Sequence, residues 1–577
     1  MSQVTTPHTA ILPTFLPRLC VTALSGGGGK TLLSLGLSRA FALRGVTVQP
    51  FKKGPDYIDA AWLRLAAGLP AANLDPYFLE APRLRALFVH TMRVAAARQA
   101  NSCGCGDPVS QSGRLLGLLE GNRGFFDGMD AHGSCSTAEL SRILSCPVII
   151  SVDCTKMTRT AAALVRGMLT FEPGISFAGV VLNQVGSARH ERILRQALEE
   201  HTDVPVLGAL PRLAENPLPE RHMGIASCGD DLSPQAQQVL DTLAAFVSGH
   251  VDMDRILAAA ESAPDLDAEP FWPESTGDAA PSAAVEQRGG AAAVTLQTSG
   301  QATGVSGPES VGKRKPRIGY VRDAALWFYY EENLEALRRA GAELVRLSLL
   351  DGEDGGHAKD GWPQIDALYL GGGFPEDHVE ALSASPLLRQ LAQWAEQGMP
   401  IYAECGGFMV LSRGIERQGK LWPMGGILPV TAVFCPKPQG LGYVRGKITG
   451  ENPFFPLQTE LRGHEFHYSH CRWEETAEHL TDAKAAPQEL TASGQSRQLS
   501  LRWAMQLRKG QGMGLPPVSE KQNAASASEP QKVDGLVFRN VWASYTHIFA
   551  PAAQGWAESF VAAAKGFAVH GRGGSHE

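Results

Sequence analysis

Three sets of residues carry types and spacings suited to chemistry. The first is SGGGGKT, Ser25 to Thr31. Successive small residues let backbone N–H groups close around phosphate oxygens, and a helix that starts there adds partial positive charge. Gly27, Gly28 and Gly29 would form the cradle, Lys30 would reach the β- and γ-phosphates, and the Thr31 hydroxyl would face a Mg²⁺ ion. The run departs from G-x-x-x-x-G-K-[ST], because Leu24 stands at the first glycine position. The second set is carboxylic: FKKGPDYID (Phe51 to Asp59) supplies Asp56, and EGNRGFFDG (Glu120 to Gly128) supplies Glu120 and Asp127. Asp56 and Glu120 would complete a Mg²⁺ shell with Thr31, and Asp127 would position a substrate or a second metal-bound water; their plainer alternative is to cap helices and close turns. The third set centres on Cys405 in PIYAECGGFMVL, between an apolar run and Gly406-Gly407. A sharp strand-to-helix turn exposes a nucleophile, and a helix N-terminus lowers a thiol's pKa. His547 in NVWASYTHIFA is the expected base; His464 and His467 in RGHEFHYSH are rivals, more simply read as substrate-binding or sheet-pairing residues. Gly372 and Gly373 in YLGGGFPED, with Gly406, offer N–H groups to a tetrahedral oxyanion.

These residues need scaffolds that bring strand ends together. Between Leu19 and Leu210, short β-branched runs alternate with helical spacing, which predicts a parallel sheet covered on both faces. The expected strands are 19–24, 46–51, 115–120, 147–153, 178–183 and 204–210, with a helix over 30–44. In such sheets ligands sit at the carboxyl ends of strands, where the glycine run and both acid clusters fall. Alternation resumes at Arg317 with strands near 317–321, 343–348, 366–370 and 400–403 and helices over 331–340 and 376–397. The fold class is therefore α/β: two doubly wound domains, the first P-loop NTPase-like over 18–255 and the second over 316–570. Residues 256–315 are poor in bulky apolar side chains and read as a disordered linker, 476–532 as a polar insertion, and 1–17 and 571–577 as flexible ends.

Composition narrows the class. At 577 residues the chain exceeds what a single core usually supports, so more than one domain is expected. A balance of 52 basic against 59 acidic residues gives no global reason to expect nucleic acid or a membrane surface as partner. The ten cysteines show neither a disulfide framework nor a four-ligand zinc spacing, and the Cys103–Cys105 pair stands alone. With no apolar run long enough to span a bilayer and no leader pattern, the expected location is cytoplasmic.

Together SGGGGKT, FKKGPDYID, NLDPYFL (Asn73 to Leu79), EGNRGFFDG, STAELSRILSCPVIISVD (Ser136 to Asp153) and LPERHMGI (Leu218 to Ile225) resemble the synthetase domain of the cobyrinic acid a,c-diamide synthase family. That domain is similar in fold to dethiobiotin synthetase. The resemblance implies that ATP activates a substrate carboxylate as an acyl phosphate, which ammonia displaces to give an amide. It implies that Lys30, Thr31, Asp56 and Glu120 serve ATP and Mg²⁺, and that Tyr57, Asp59, Asp127, Arg221 and His222 face the tetrapyrrole. The second half resembles class I glutamine amidotransferases of the cobyrinate and cobyrate synthase variety, with Cys405 attacking glutamine and His547 assisting it. Members of the wider class carry a carboxylate two residues after the histidine; here that residue is Phe549.

The implied reaction is ATP- and glutamine-dependent amidation of the a and c carboxylates of cobyrinic acid, with L-glutamine as co-substrate. A homodimer is compatible with it. Hydrogenobyrinic acid or Ni-sirohydrochlorin a,c-diamide synthesis and cobyric acid synthesis are neighbouring alternatives; the GPDYID run and domain order favour the a,c-diamide branch. A regulatory P-loop ATPase with a non-catalytic amidotransferase domain is the alternative from another class, and intact Cys405 and His547 argue against it.

Overall fold

The computed structural model describes residues 15–102, 114–213, 234–272, 314–350, 362–473, 488–490, 496–498, 501–514 and 532–570. Seven parallel strands form the first sheet: β1 (Arg18–Ala23), β2 (Thr47–Lys53), β3 (Ala72–Leu74), β4 (Leu115–Glu120), β5 (Val148–Asp153), β6 (Phe177–Val185) and β7 (Val206–Pro211). Their order is β3-β2-β4-β1-β5-β6-β7. Six lie within two residues of their expected ends; β3 spans three residues, too few to show a period. The strands are nearly continuous in buried apolar residues, as a sheet covered on both faces requires. A helix, Lys30–Leu43, leaves the β1 end through Gly29, whose φ of 86° is left-handed. That backbone state suits glycine and would strain any residue with a Cβ.

Two expected boundaries move. The region assigned to a linker from 256 still belongs to the first domain, because the helix Met253–Glu261 is capped by the Asp252 side chain and Leu266 and Phe271 are buried beyond it. The Arg18 guanidinium ties this tail down, donating to Pro264 O at 2.7 Å and to Leu144 O at 2.6 Å. Residues 273–313 lie outside those described. At the chain start, Leu16 is already buried, so part of the expected flexible end is packed.

The second domain is built on ten strands in the order Glu343–Leu347, Arg317–Val321, Ala367–Leu370, Ile401–Glu404, Val541–Ser544, Val533–Phe538, Leu501–Lys509, Gly440–Ile448, Glu460–His467 and His547–Ile548. The first five are mutually parallel and the rest antiparallel. Leu501–Lys509 lies inside the segment expected to be a polar insertion, yet it is an interior strand with Ala504, Met505 and Leu507 buried. Its charged flanks mask the alternation in composition. The helix expected over 376–397 is a 3-10 turn, Pro375–Asp377, and two helices, Val379–Ala384 and Leu387–Glu396, separated at Pro386.

The domains share apolar packing. Phe328, Tyr330, Phe374 and Phe549 join the cluster that contains Phe51, Tyr57, Tyr77 and Phe78 of the first domain. Tyr77 and Tyr443 stack at 4.0 Å between centroids. The Tyr77 hydroxyl donates to Val444 O at 2.7 Å and the Tyr443 hydroxyl to Asp75 Oδ2 at 2.7 Å. Among the described residues no helix is long and apolar enough to cross a membrane.

Candidate active site

At the β1 end, Lys30 Nζ donates to Ser25 O at 3.0 Å, so its ammonium curls back over the glycine loop. Burial lowers the Lys30 pKa, and the nearby Lys52 cation lowers it further. Gly28 is closely packed: a Cβ there would lie 2.7 Å from the Ala23 Cβ. Thr31 follows at the helix start and its hydroxyl donates to Glu120 Oε1 at 2.7 Å, which joins the loop to the end of β4.

Lys52, the penultimate residue of β2, is a residue sequence reasoning passed over. It is buried among the acids, with Nζ 2.9 Å from Glu120 Oε1, 2.5 Å from Asp59 Oδ2 and 3.8 Å from Asp56 Oδ2. Burial opposes its charge, but Glu120, Asp59 and Asp56 outweigh that and raise its pKa. Three carboxylates facing one ammonium leave an excess of negative charge. Burial and Asp59 push Asp56 up to about 6, and burial pushes Glu120 up to about 7. Burial also acts upward on Asp59, but the Lys52 ammonium prevails and lowers it. Asp56 does cap a helix, accepting from Asp59 N at 3.0 Å, and Asp127 does close a turn, accepting from Gly124 N at 3.0 Å. Neither function removes these acids from the site, since both line the cavity described below.

An oxygen-seeking cation fits this corner on two observations. Glu120 Oε2 is buried without a hydrogen-bond partner, and the cluster carries more carboxylates than ammonium groups. Among the described residues no three His, Cys, Asp or Glu side chains form a ready cage. Mg²⁺ keeps several waters and usually takes one or two carboxylates plus phosphate oxygens, a set that Thr31, Glu120 and Asp56 could join.

Cys405 sits between the strand Ile401–Glu404 and the helix Gly406–Leu411 with φ 48° and ψ −104°, a strained turn for a residue with a side chain. Such a conformation costs about 1–3 kcal/mol and persists where the surroundings enforce it. Here Cys405 N donates to Ser544 O at 2.7 Å and Gly407 N to Gly371 O at 2.9 Å. The thiol differs from its expected state: burial, then the Glu376 carboxylate, pushes its pKa well up, against the Gly406 N–H that lowers it. It contacts Phe466 O at 3.6 Å. The three oxyanion candidates converge, since a Cβ on Gly406 would lie 2.9 Å from Gly373 N, and one on Gly372 would lie 2.3 Å from His547 Cε1.

His547 is buried, and neither of its ring nitrogens has a hydrogen-bond partner among the described residues. Each of its rivals has Nδ1 engaged and Nε2 without a hydrogen-bond partner among the described residues. His467 Nδ1 is 2.7 Å from Ser469 O and its ring stacks on Tyr545 at 3.7 Å, while His464 contacts the Tyr330 hydroxyl through Nδ1 at 3.3 Å. Burial, then His547, keeps the His464 pKa well below the usual range.

Tyr57 joins the two centres. It opens the helix after Asp56, yet its ring stacks on Phe328 at 4.8 Å and lies 5.3 Å from the His547 ring. Beside it a cavity of about 760 Å³ is lined by both domains, with Lys53, Asp56, Tyr57, Arg123 and Asp127 on one side and Tyr443, His464 and Lys509 on the other. Asp59, expected to face a tetrapyrrole, is paired with Lys52. Arg221 and His222 lie outside the described residues, as do Cys103 and Cys105.

A phosphate loop at one strand end and a strained cysteine at another define a two-domain protein joining nucleotide binding to glutamine amidotransferase machinery. Comparison agrees for both halves: residues 19–225 match the CobQ/CobB/MinD/ParA nucleotide binding domain and residues 317–499 the CobB/CobQ-like glutamine amidotransferase domain. The chain is 36% identical over 547 residues to a cobyrinate a,c-diamide synthase of Magnetococcus marinus, covering 95% of this chain and 97% of the relative. Similar proteins of the same name occur in Syntrophotalea carbinolica (38% identity, 78% of this chain, 86% of the relative) and Archaeoglobus fulgidus (33%, 80% and 87%). The chain belongs to the cobyrinate a,c-diamide synthase family.

Proposed function

We propose that this protein amidates the a and c side-chain carboxylates of cobyrinic acid, using ATP and the ammonia of L-glutamine. The observation that carries the reading is the cavity lined by both domains, with the Tyr57 ring at its wall 5.3 Å from the His547 ring. A carboxylate resists amines until it bears a phosphoryl leaving group. Gly27, Gly28, Gly29 and Lys30 hold the ATP phosphates, and transfer to the carboxylate oxygen relies on positioning and charge neutralisation. Thr31, Glu120 and Asp56 would hold Mg²⁺, which when bound neutralises phosphate charge. Tyr57 and Asp127, with Arg221 and His222, contact the corrinoid, while Asp59 keeps Lys52 in place.

In the second domain the Cys405 thiolate attacks the glutamine amide carbon, and Gly372, Gly373 and Gly406 offer N–H groups to the oxyanion. His547 takes the thiol proton and passes it to the departing nitrogen, so ammonia leaves and a thioester remains for water to hydrolyse. Ammonia then attacks the acyl phosphate, expelling phosphate and leaving the amide. Mass spectrometry of the purified protein with ATP, glutamine and cobyrinic acid tests the reading. Two successive amidations, each with one ADP and one glutamate, are expected; no amidation of cobyrinic acid alongside amidation of another corrinoid would refute the substrate assignment.

A further inference from the structure

The residue two places after His547 is Phe549, so the histidine lacks an orienting acid from its own strand. The structure supplies one from across the sheet. Glu404 is the last residue of the strand that presents Cys405; it is 1% exposed and places Oε2 3.7 Å from His547 Nδ1. Glu404 is itself fixed. Tyr369 donates to Oε2 at 3.0 Å, Tyr402 to Oε1 at 3.3 Å, and the backbone N–H of Ile548 to Oε1 at 3.1 Å. The last contact is informative, because one carboxylate binds the backbone beside the base while belonging to the residue beside the nucleophile. Both His547 nitrogens are otherwise without a partner among the described residues.

We infer that Glu404 is the positioning residue of the glutaminase centre, orienting His547 through Nδ1 and leaving Nε2 for the Cys405 proton. The inference rests on the assignment of Cys405 and His547 to glutamine hydrolysis. A carboxylate on the far nitrogen of a catalytic imidazole fixes its tautomer and stabilises the imidazolium formed when the thiol proton moves. The other groups facing His547 do not substitute for it. The His464 ring stacks on it at 4.8 Å, Tyr57 approaches ring to ring, and Gly372 presents only backbone against Cε1.

Glutamine hydrolysis and ammonia-driven amidation in Glu404→Gln, Tyr369→Phe and Cys405→Ala, measured across pH, test the inference. For Glu404→Gln we expect kcat for glutamine to fall on the order of 100-fold with KM changed by less than about threefold, and ammonia-driven amidation to persist. Loss of the carboxylate should also move the acid limb of the hydrolysis pH profile to lower pH. Tyr369→Phe should show the same pattern in weaker form. Wild-type hydrolysis by Glu404→Gln, equal loss of both nitrogen routes, or an unmoved pH limb would overturn the role of Glu404. Persistent hydrolysis in Cys405→Ala would instead overturn the underlying assignment.

Discussion

Burial and the Glu376 carboxylate favour the neutral form of the Cys405 thiol. They outweigh the Gly406 N–H, so the thiol pKa is raised where a lowered one is expected, and the proposed mechanism assigns activation to His547. Cys405→Ala should abolish amidation from glutamine, a fall on the order of 1000-fold, while amidation from high free ammonia survives. Parallel assays with the two nitrogen sources check this, and equal loss of both would refute it. Lys30→Ala should stop both routes, because activation precedes either; amide formation at wild-type rate would end the phosphate-loop assignment. Lys30, Thr31, Glu120, Cys405 and His547 stand out as candidates in the sequence itself. Lys52 and Glu404 were not, because a buried lysine among acids and a glutamate beside a cysteine acquire meaning only from partners distant in sequence.

At the level of elements, the site depends on turns that leave no room for side chains. Gly372→Ala would force a Cβ to 2.3 Å from His547 Cε1. We expect that substitution to cut glutamine-driven synthesis by more than about tenfold and to spare the ammonia route, a contrast the same pair of assays reads. The strand Leu501–Lys509 offers a separate test. Met505→Ala removes a buried side chain from the sheet and should cost about 2–4 kcal/mol, visible as a lower melting temperature. An unchanged melting curve would contradict an interior strand. The parallel strands of the first sheet were readable because burial on both faces makes continuous apolar runs, whereas this strand was hidden by Arg502, Arg508 and Lys509 at its ends.

At the scale of the whole molecule the two domains pack against each other, and Glu332 is among the buried charged residues. Its Oε2 has no partner among the described residues, and burial, with Glu331 and Glu335 nearby, pushes its carboxyl up to about 8. A folded-state pKa raised above the unfolded value means the folded protein binds more protons between the two values. Stability contributed by the protonated form is therefore lost as pH rises from about 4.3 toward the folded value. Glu332→Gln stays neutral, so its melting temperature relative to wild type should climb from pH 5 to pH 8.5. A constant difference across that range would exclude the linkage. Tyr443→Ala, which deletes the Tyr77 stack and the Asp75 hydrogen bond, should raise the ratio of glutamate released to amide formed. A ratio equal to that of wild type would show that this contact does not couple the centres.

The sequence by itself determined the chemistry and its scaffolds. Glycine runs, a Lys-Thr pair and a glycine-flanked cysteine fall at predictable strand ends, and these signals are local, set by backbone conformation and side-chain type over a few residues. Only the tertiary structure decided what those groups face. Tyr57 of the first domain reaches His547 of the second, Lys52 sits among three acids, and Glu404 sits beside His547 although 143 residues separate them in the chain. Partnerships of that kind arise from parallel strands placed side by side and from domain faces packed together, which no short spacing encodes.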